Sequence, residues 1–292
     1  MSFAYQAAHD LDEALAVLAE SSDPVQVLAG GTDVGVQFLR GEIAPERVLY
    51  IGGIEALRGI AANGGLTLGA LTTHRELAES PIVREEFAAL AEAANQVGGR
   101  QTQNVGTVGG NVANASPAAD LPPALLLADA QVTLAGASGQ RTLALADFFL
   151  ARRQTARRPD ELVTALALER PRPWTAEAYV KLGRRRAMEI AIVGLAMRLS
   201  FDEARVDDLL ARVAVCAAAE RPYRAPDAEA ALIGSTLDEE TLAEAGRLAA
   251  APASPIDDVR ASAEYRRRVI ESLTVRAAQR CRDRALVSGE DR

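Results

Sequence analysis

Two double-glycine segments constrain the fold of this chain more than any other feature. The first covers residues 25–35 (VQVLAGGTDVG), where an apolar run ends at a Gly-Gly pair at 30–31. The second covers residues 101–120 (QTQNVGTVGGNVANASPAAD), with its Gly-Gly pair at 109–110. Because glycine has no Cβ, the backbone N–H groups of such segments can approach an anion at contact distance. Together the two segments predict a pair of loops that bind a diphosphate.

A single Gly-Gly pair usually marks a tight turn or a bulge, so this interpretation depends on there being two. In the first segment the apolar run leads directly into Thr32 and Asp33, a pattern typical of a buried strand that ends at a phosphate-binding turn. No lysine follows the glycines, which excludes a P-loop, and the Gly-x-Gly-x-x-Gly spacing of Rossmann domains is absent. The second segment adds short polar side chains that can complete the shell around an anion: Asn104, Thr107, Asn114 and Ser116.

Composition excludes several classes of function. The 292 residues are enough for about two domains, and 49% hydrophobic with 25% charged residues is typical of globular proteins. A net charge of −8 disfavours binding to nucleic acid or to a membrane surface. Two cysteines (Cys216 and Cys281) and two histidines (His9 and His74) predict neither an iron-sulfur cluster nor a metal site within this chain. The N-terminus has no signal-peptide pattern, and no run is long enough to span a bilayer, so we expect a cytoplasmic protein without membrane insertion.

Hydrophobic patterning predicts an α+β protein. Predicted elements are a helix starting at Asp10, strands at 25–29 and 47–51, a hairpin of 57–60 with 66–70, helices at 74–79, 81–94 and 121–128, and strands at 131–135, 141–145 and 162–168. Pro171 and Pro173 mark the predicted domain boundary. Beyond it, apolar runs at 176–182, 190–201 and 206–219 predict a three-stranded antiparallel sheet, followed by helices at 226–233, 239–250 and near the C-terminus.

For two basic stretches the simplest interpretation is exposure to solvent. Residues 151–159 (ARRQTARRP) either meet an acidic partner or are solvated, and we favour solvation. In the last helix, an apolar residue or cysteine at every fourth position (Tyr265, Val269, Leu273, Ala277, Cys281) predicts an inward stripe. The arginines at 266–268 are expected to face away from that stripe, and Cys281 is expected to be a core residue rather than a reactive thiol.

Taken together, four motifs in order resemble the FAD-binding subunit of molybdenum hydroxylases, a family that includes bacterial xanthine dehydrogenase FAD subunits and the medium subunit of aerobic carbon monoxide dehydrogenase. The motifs are LAGGTD at 28–33, GGRQTQN with TVGGN at 98–111, SPAAD at 116–120 and KLGRRRAMEIAIVG at 181–194. The resemblance implies a PCMH-type (vanillyl-alcohol-oxidase-like) FAD-binding domain over 1–170, made of two α/β subdomains at about 1–53 and 54–170. It also implies a C-terminal domain over 174–288 with a three-stranded antiparallel sheet and helices.

The resemblance also implies a set of FAD-binding residues but no catalytic or metal-binding residue. The two glycine loops would hold the diphosphate and ribityl regions, Ser116 and Asp120 match polar contacts, Leu162 matches an apolar contact, and Lys181 matches a lysine near the flavin. The implied residues are Val27, Leu28, Ala29, Gly30, Gly31, Thr32, Asp33, Val34, Thr107, Val108, Gly109, Gly110, Asn111, Ser116, Asp120, Leu162 and Lys181. Asp33 and Asp120 would repel a phosphate, so we expect them to accept hydrogen bonds from hydroxyls instead. Lys181 is the one lysine in the chain, and on residue evidence alone we would prefer a lysine in solvent at a strand end.

In this family the implied function is electron transfer within a larger complex. A large subunit with molybdenum-pterin oxidises the substrate, a small subunit carries two 2Fe-2S clusters, and the FAD subunit passes electrons to NAD+ or another acceptor, in a dimer of heterotrimers. The substrate would be a purine, an N-heterocycle, an aldehyde or CO. Two other interpretations of the residues remain: a free-standing FAD-dependent oxidoreductase with its own substrate pocket, and a nucleotide-binding module without enzymatic activity.

Overall fold

The first part of the chain forms a small parallel sheet. The computed structural model describes residues 3–21, 23–202 and 205–290. The elements here are strand β1 (Ala4–Ala7), helix α1 (Leu11–Glu20), strand β2 (Val25–Leu28), helix α2 (Val34–Leu39) and strand β3 (Arg47–Tyr50), with strand order β1-β3-β2. As predicted, Asp10 caps α1 by accepting a hydrogen bond from the backbone N–H of Glu13. Strand β1 adds to the predicted elements; most of its residues are exposed, so it lacks the apolar alternation that indicates a strand.

The middle part forms a five-stranded antiparallel sheet with short helices. In chain order its elements are β4 (Ile60–Ala62), β5 (Gly65–Gly69), α3 (His74–Glu79), α4 (Pro81–Glu86), α5 (Ala88–Asn95), α6 (Arg100–Val105), α7 (Val108–Asn114), α8 (Leu121–Leu127), β6 (Gln131–Gly136), β7 (Gly139–Ala144), α9 (Leu145–Phe148), β8 (Phe149–Ala151), β9 (Gln154–Thr155) and β10 (Leu162–Glu169). The sheet order is β4-β5-β10-β6-β7, and β8 pairs with β9 separately. Thr73 caps α3 in a reciprocal capping box with Glu76, which confirms the predicted helix start.

Two predicted elements of the middle part are wrong in their bounds. The hairpin forms, but a 3₁₀ turn at Glu55–Leu57 replaces the start of its first strand, because Gly59 has a φ of +99° that a strand cannot continue through. The single helix predicted over 81–94 is divided at Phe87, whose backbone leaves the helical region while its side chain is buried in the core. Core packing of the aromatic ring therefore outweighs one turn of helix.

The C-terminal part contains the three long antiparallel strands that the sequence predicts. They are β11 (Thr175–Leu182), β12 (Val193–Asp202) and β13 (Arg205–Cys216), with a short fourth strand β14 (Tyr223–Arg224) at the edge. Helices α10 (Pro226–Leu232), α11 (Glu239–Ala250) and α12 (Ala263–Glu290) follow. The mixed helix and sheet content confirms the predicted α+β class. Within the described residues, no helix combines the length and the hydropathy of a transmembrane segment.

The inward face of α12 differs from the prediction at two positions. Val269, Leu273 and Cys281 are buried as expected, but Tyr265 is half exposed and Arg266 is buried. The Arg266 guanidinium donates to the backbone carbonyls of Ile192 and Ala217 and to Asp258. Position 266 lies three, four and seven residues before 269, 270 and 273, so it shares their face of the helix. The expectation that the arginine at 266 faces solvent is therefore wrong.

The C-terminal sheet packs directly against the middle part, and this contact positions β11 beside the second glycine segment. Tyr179 and Ala196 belong to the same buried cluster as residues of α5 and α8. Beneath this contact, Glu177 accepts a hydrogen bond from the backbone N–H of Ala89 and is paired with Arg198 at 2.6 Å. A buried ion pair with further hydrogen bonds fixes the register of the two surfaces, because a shift would leave a charge buried and unpaired.

Candidate cofactor-binding site

One cleft of about 620 Å³ contains most of the predicted site residues. It lies between the C-terminal ends of the parallel strands, α7 and the loop that joins β11 to β12. The predicted residues that line it are Val27, Ala29, Gly30, Gly31, Thr32, Asp33, Val34, Thr107, Gly109, Gly110, Asn111, Ser116, Asp120 and Leu162. Leu28, Val108 and Lys181 lie behind its surface.

The two glycine segments meet in this cleft, although they are far apart in the sequence. A Cβ on Gly30 would lie 1.7 Å from the carbonyl oxygen of Val105 and 3.0 Å from the backbone nitrogen of Gly106. Nearby, the Gln37 side chain donates to Asn114 Oδ1 at 3.2 Å. Only glycine fits at position 30, because any side chain would overlap the Val105–Gly106 peptide.

The first segment presents backbone donors that have no acceptor within the described chain. None of the N–H groups of Gly30, Gly31, Thr32 and Asp33 donates to an oxygen of the described residues. Gly31 has a φ of +72°, a left-handed conformation that favours glycine and turns the backbone. Four consecutive amides without acceptors on the wall of a cleft form the kind of concavity that binds phosphate oxygens.

The second segment is different from the predicted loop, because it forms the first turns of helix α7. Its amides all have acceptors: the N–H of Val108 donates to Thr72 O (2.9 Å), that of Gly109 to Ala70 O (2.8 Å), that of Gly110 to Thr107 Oγ1 (3.1 Å) and that of Asn111 to Thr107 O (2.9 Å). A Cβ on Gly109 would lie 2.6–2.7 Å from atoms of Ala70, so this glycine permits close packing of α7 on the end of β5. The expectation that amides of both segments are available to a diphosphate is therefore wrong for the second segment. Its contribution to the cleft is the open surface at Gly110 and the side chain of Asn111.

Among the residues that the structure describes, two buried polar atoms of the cleft lining have no hydrogen-bond partner. These are Asn111 Oδ1 and His74 Nδ1. Burial lowers the pKa of His74 to about 4, so its imidazole is neutral at neutral pH. Buried polar atoms normally have a partner, and a bound ligand with hydroxyl or phosphate groups can supply one. The cleft therefore fits a nucleotide cofactor in three respects: free amides, glycines where side chains would intrude, and unpartnered polar side chains.

Arginines of the basic stretch at 151–159 also reach the cleft. Arg153 and Arg157 line it, and the Arg157 guanidinium is held by the carbonyl oxygens of Arg158 and Glu161. The prediction that this stretch is solvated is therefore wrong for Arg157, which is partly buried, whereas Arg153 borders the cleft and is still exposed. Hairpin β8–β9 makes the difference, because it folds Arg153 back so that its backbone N–H donates to Ala115 O at 3.0 Å.

Lys181 reaches the cleft through Asp120. Its ammonium group donates to Asp120 Oδ2 at 2.8 Å and to the carbonyl of Gln96 at 3.0 Å, and its side chain is only 7% exposed. The Tyr179 hydroxyl donates to Asp120 Oδ1 at 2.6 Å. Burial raises the pKa of Asp120, while the contacts with Lys181 and Tyr179 oppose that rise. The solvated interpretation of Lys181 is therefore wrong.

The loop after β11 closes one side of the cleft. Met188 and Ile190 line it while remaining about half exposed, and the backbone N–H of Met188 donates to Gly98 O at 2.9 Å. Sequence reasoning did not assign this loop, nor His74, Arg153 or Tyr179. Because the chain has two histidines, His74 could have been singled out from the sequence. The loop, Arg153 and Tyr179 reach the cleft through contacts between distant parts of the chain, which the sequence does not reveal. Within the described residues, no group of three or more His, Cys, Asp and Glu side chains is arranged to bind a metal.

Known proteins share both parts of this architecture. Residues 1–171 match the family model of the FAD binding domain in molybdopterin dehydrogenase, and residues 178–281 match that of the CO dehydrogenase flavoprotein C-terminal domain. The chain is 30% identical over 276 residues to the glyceraldehyde dehydrogenase medium chain of Sulfolobus acidocaldarius, covering 94% of this chain and 96% of the relative. It is 32% identical over 245 residues to the nicotinate dehydrogenase FAD-subunit of Eubacterium barkeri, covering 82% of each.

A solved structure agrees with these matches. A chain of carbon monoxide dehydrogenase from Hydrogenophaga pseudoflava has a TM-score of 0.92 and 30% identity, with 96% of this chain and 97% of that chain covered. Fold, family models and full-length relatives therefore confirm the resemblance seen in the sequence. The chain belongs to the family of FAD-binding subunits of molybdopterin dehydrogenases, which are oxidoreductases.

Proposed function

We propose that the cleft holds FAD with its diphosphate at the four free amides of residues 30–33. This single observation carries the proposal, because amides without acceptors are costly unless a ligand or water satisfies them. The positive side chains of Arg153 and Arg157 on the same cleft offset the negative charge of a diphosphate. Asp33 and Asp120 accept hydrogen bonds from hydroxyls of the ribityl chain or ribose.

The remaining predicted residues bind and orient the cofactor. Ala29, Val34 and Leu162 supply apolar contacts, and Asn111 Oδ1 and Ser116 hydrogen-bond its polar groups. Lys181 acts indirectly, because its ammonium group pairs with Asp120 and opposes the rise in the pKa of that carboxyl that burial causes. When bound, FAD exchanges electrons singly with iron-sulfur clusters and in pairs with an acceptor.

The chain's role, on this proposal, is electron transfer within a complex that oxidises a substrate elsewhere. A small partner subunit with two 2Fe-2S clusters delivers electrons, and a large molybdenum-pterin subunit performs the oxidation, in a cytoplasmic dimer of heterotrimers. Two relatives are named as a medium chain or as a FAD-subunit, which supports a multi-subunit assembly. Both cysteines of this chain are buried, so the clusters belong to a partner.

NAD+ or another acceptor receives the electrons. Arg184 and Arg186, on the loop that borders the cleft, are exposed and suit the phosphates of NAD+. The substrate class is a purine, an N-heterocycle, an aldehyde or CO. Relatives named for glyceraldehyde, nicotinate and carbon monoxide are all 30–32% identical to this chain. The degree of sequence identity therefore does not distinguish among these substrates.

The test begins with the purified full-length chain. We expect a yellow protein that releases FAD on denaturation, and that copurifies with molybdenum- and iron-containing partners from its native cells. A colourless protein with no affinity for added FAD would refute the proposal. Bleaching of the flavin by an organic substrate with this chain alone would support a free-standing oxidoreductase instead.

A further inference from the structure

His74 is a buried histidine whose ring nitrogen Nδ1 has no hydrogen-bond partner among the described residues. It is the first residue of α3, and its backbone N–H donates to Gly106 O at 3.0 Å. Only 2% of the residue is exposed, and its fully buried Nδ1 has no hydrogen-bond partner within the described chain. A neutral imidazole carries one donor and one acceptor, and leaving a buried ring nitrogen unpaired is unfavourable.

The position of the ring indicates what would use it. A Cβ on Gly106 would lie 2.9 Å from His74 Cδ2 and 3.1 Å from Nε2, so the ring packs against the Gly106 backbone. The Val105–Gly106 peptide is also the group against which Gly30 is pressed. His74, which lines the cleft, therefore sits one peptide away from the loop with the free amides.

We propose that His74 is a further cofactor-binding residue, whose ring nitrogen hydrogen-bonds the ribityl-diphosphate part of FAD. This inference rests on the proposed function, because it takes FAD as the occupant of the cleft. Phosphate and ribityl oxygens both accept from an imidazole N–H, and ribityl hydroxyls can also donate to the other nitrogen. The neutral state of His74 suits this role, since a neutral ring retains one acceptor as well as one donor.

Substitution of His74 can distinguish a residue that contacts the ligand from one that only supports the fold. In His74→Met an apolar side chain replaces an imidazole whose Nδ1 has no partner among the described residues, so we expect the apoprotein to keep its unfolding temperature or to gain slightly. We expect the dissociation constant for FAD to rise about tenfold, the effect of losing roughly one hydrogen bond. His74→Gln, which retains a donor and an acceptor, should recover part of the affinity. His9→Met is the matched control, because the other histidine is exposed and does not line the cleft, and it should leave FAD affinity unchanged.

A second measurement does not depend on any variant folding. With two histidines in the chain, ring ¹⁵N spectra of the parent protein contain two imidazoles, and His9→Met assigns them. Addition of FAD should shift the His74 ring nitrogens and leave those of His9 in place. Unchanged His74 resonances, or equal FAD affinity in His74→Met and the parent, would overturn this inference while leaving FAD binding intact. Failure of the parent itself to bind FAD would instead overturn the proposed function from which the inference starts.

Discussion

The contact between Gly30 and the Val105–Gly106 peptide leads to a quantitative prediction for Gly30→Ala. The added Cβ would lie 1.7 Å from Val105 O, and contacts below 3.0 Å do not occur in practice, so the peptide must move by at least about 1.3 Å. Overpacking of this kind costs about 1–3 kcal/mol. This cost exceeds the stabilisation of roughly 0.4–1 kcal/mol that alanine provides by restricting the unfolded chain.

The same displacement separates the two segments that form the cleft. Misplacement of a binding group by about 1 Å can reduce function on the order of a hundredfold, so we expect FAD affinity to fall by at least about tenfold. The assay is thermal unfolding of the apoprotein, together with titration of FAD followed by quenching of flavin fluorescence.

Gly35→Ala is the matched control for this prediction. Gly35 lies in α2, and a Cβ there meets no atom within 4 Å. Alanine in a helix should therefore stabilise by about 0.5–1 kcal/mol and leave FAD affinity unchanged. If Gly30→Ala behaved like Gly35→Ala in both measurements, the close approach of the two segments would not be a requirement of the site.

Three further predictions concern single residues of the site. The His74 pKa falls from 6.5 to about 4 on folding, so the unfolded state gains its proton first, and lowering the pH from 6.5 to 4 should cost the apoprotein ~3 kcal/mol relative to His74→Met in denaturant unfolding at each pH. Lys181→Met leaves Asp120 buried without its cation and should destabilise the protein by about 3 kcal/mol at pH 7; the loss should shrink as the pH falls and the carboxyl protonates, and a pH-independent loss would contradict the ion-pair argument. In Gly110→Val the new Cβ would lie 2.9 Å from the Thr107 hydroxyl that caps α7, and the larger side chain would crowd the cleft that Gly110 lines, so FAD affinity should fall and loss of the cap should cost about 1 kcal/mol of stability; equal affinity would exclude Gly110 from the binding surface.

Local signals in the sequence predicted much of the fold. Asp10 and Thr73 start helices because their side chains satisfy backbone N–H groups that lie within three residues. The Asn63-Gly64 turn closes a hairpin because Gly64 adopts a φ of +74°. The three long strands of the C-terminal sheet follow from apolar runs that are separated by short polar turns. In each case the residues that decide the conformation are neighbours in the chain.

Contacts between distant residues decided what the sequence could not. Gly-Gly pairs at 30–31 and 109–110 have the same local pattern, yet only the first keeps amides without acceptors among the described residues. In the second pair, Ala70 O, from a distant part of the chain, accepts from Gly109, and the Thr107 hydroxyl accepts from Gly110. Lys181 belongs to a buried ion pair only because β11 packs beside Asp120. Patterns along the chain thus determined which segments form helices, strands and glycine-rich turns. Tertiary packing alone decided which amides, carboxylates and imidazoles were left without a partner, since the acceptors that satisfy or exclude them come from other elements of the fold.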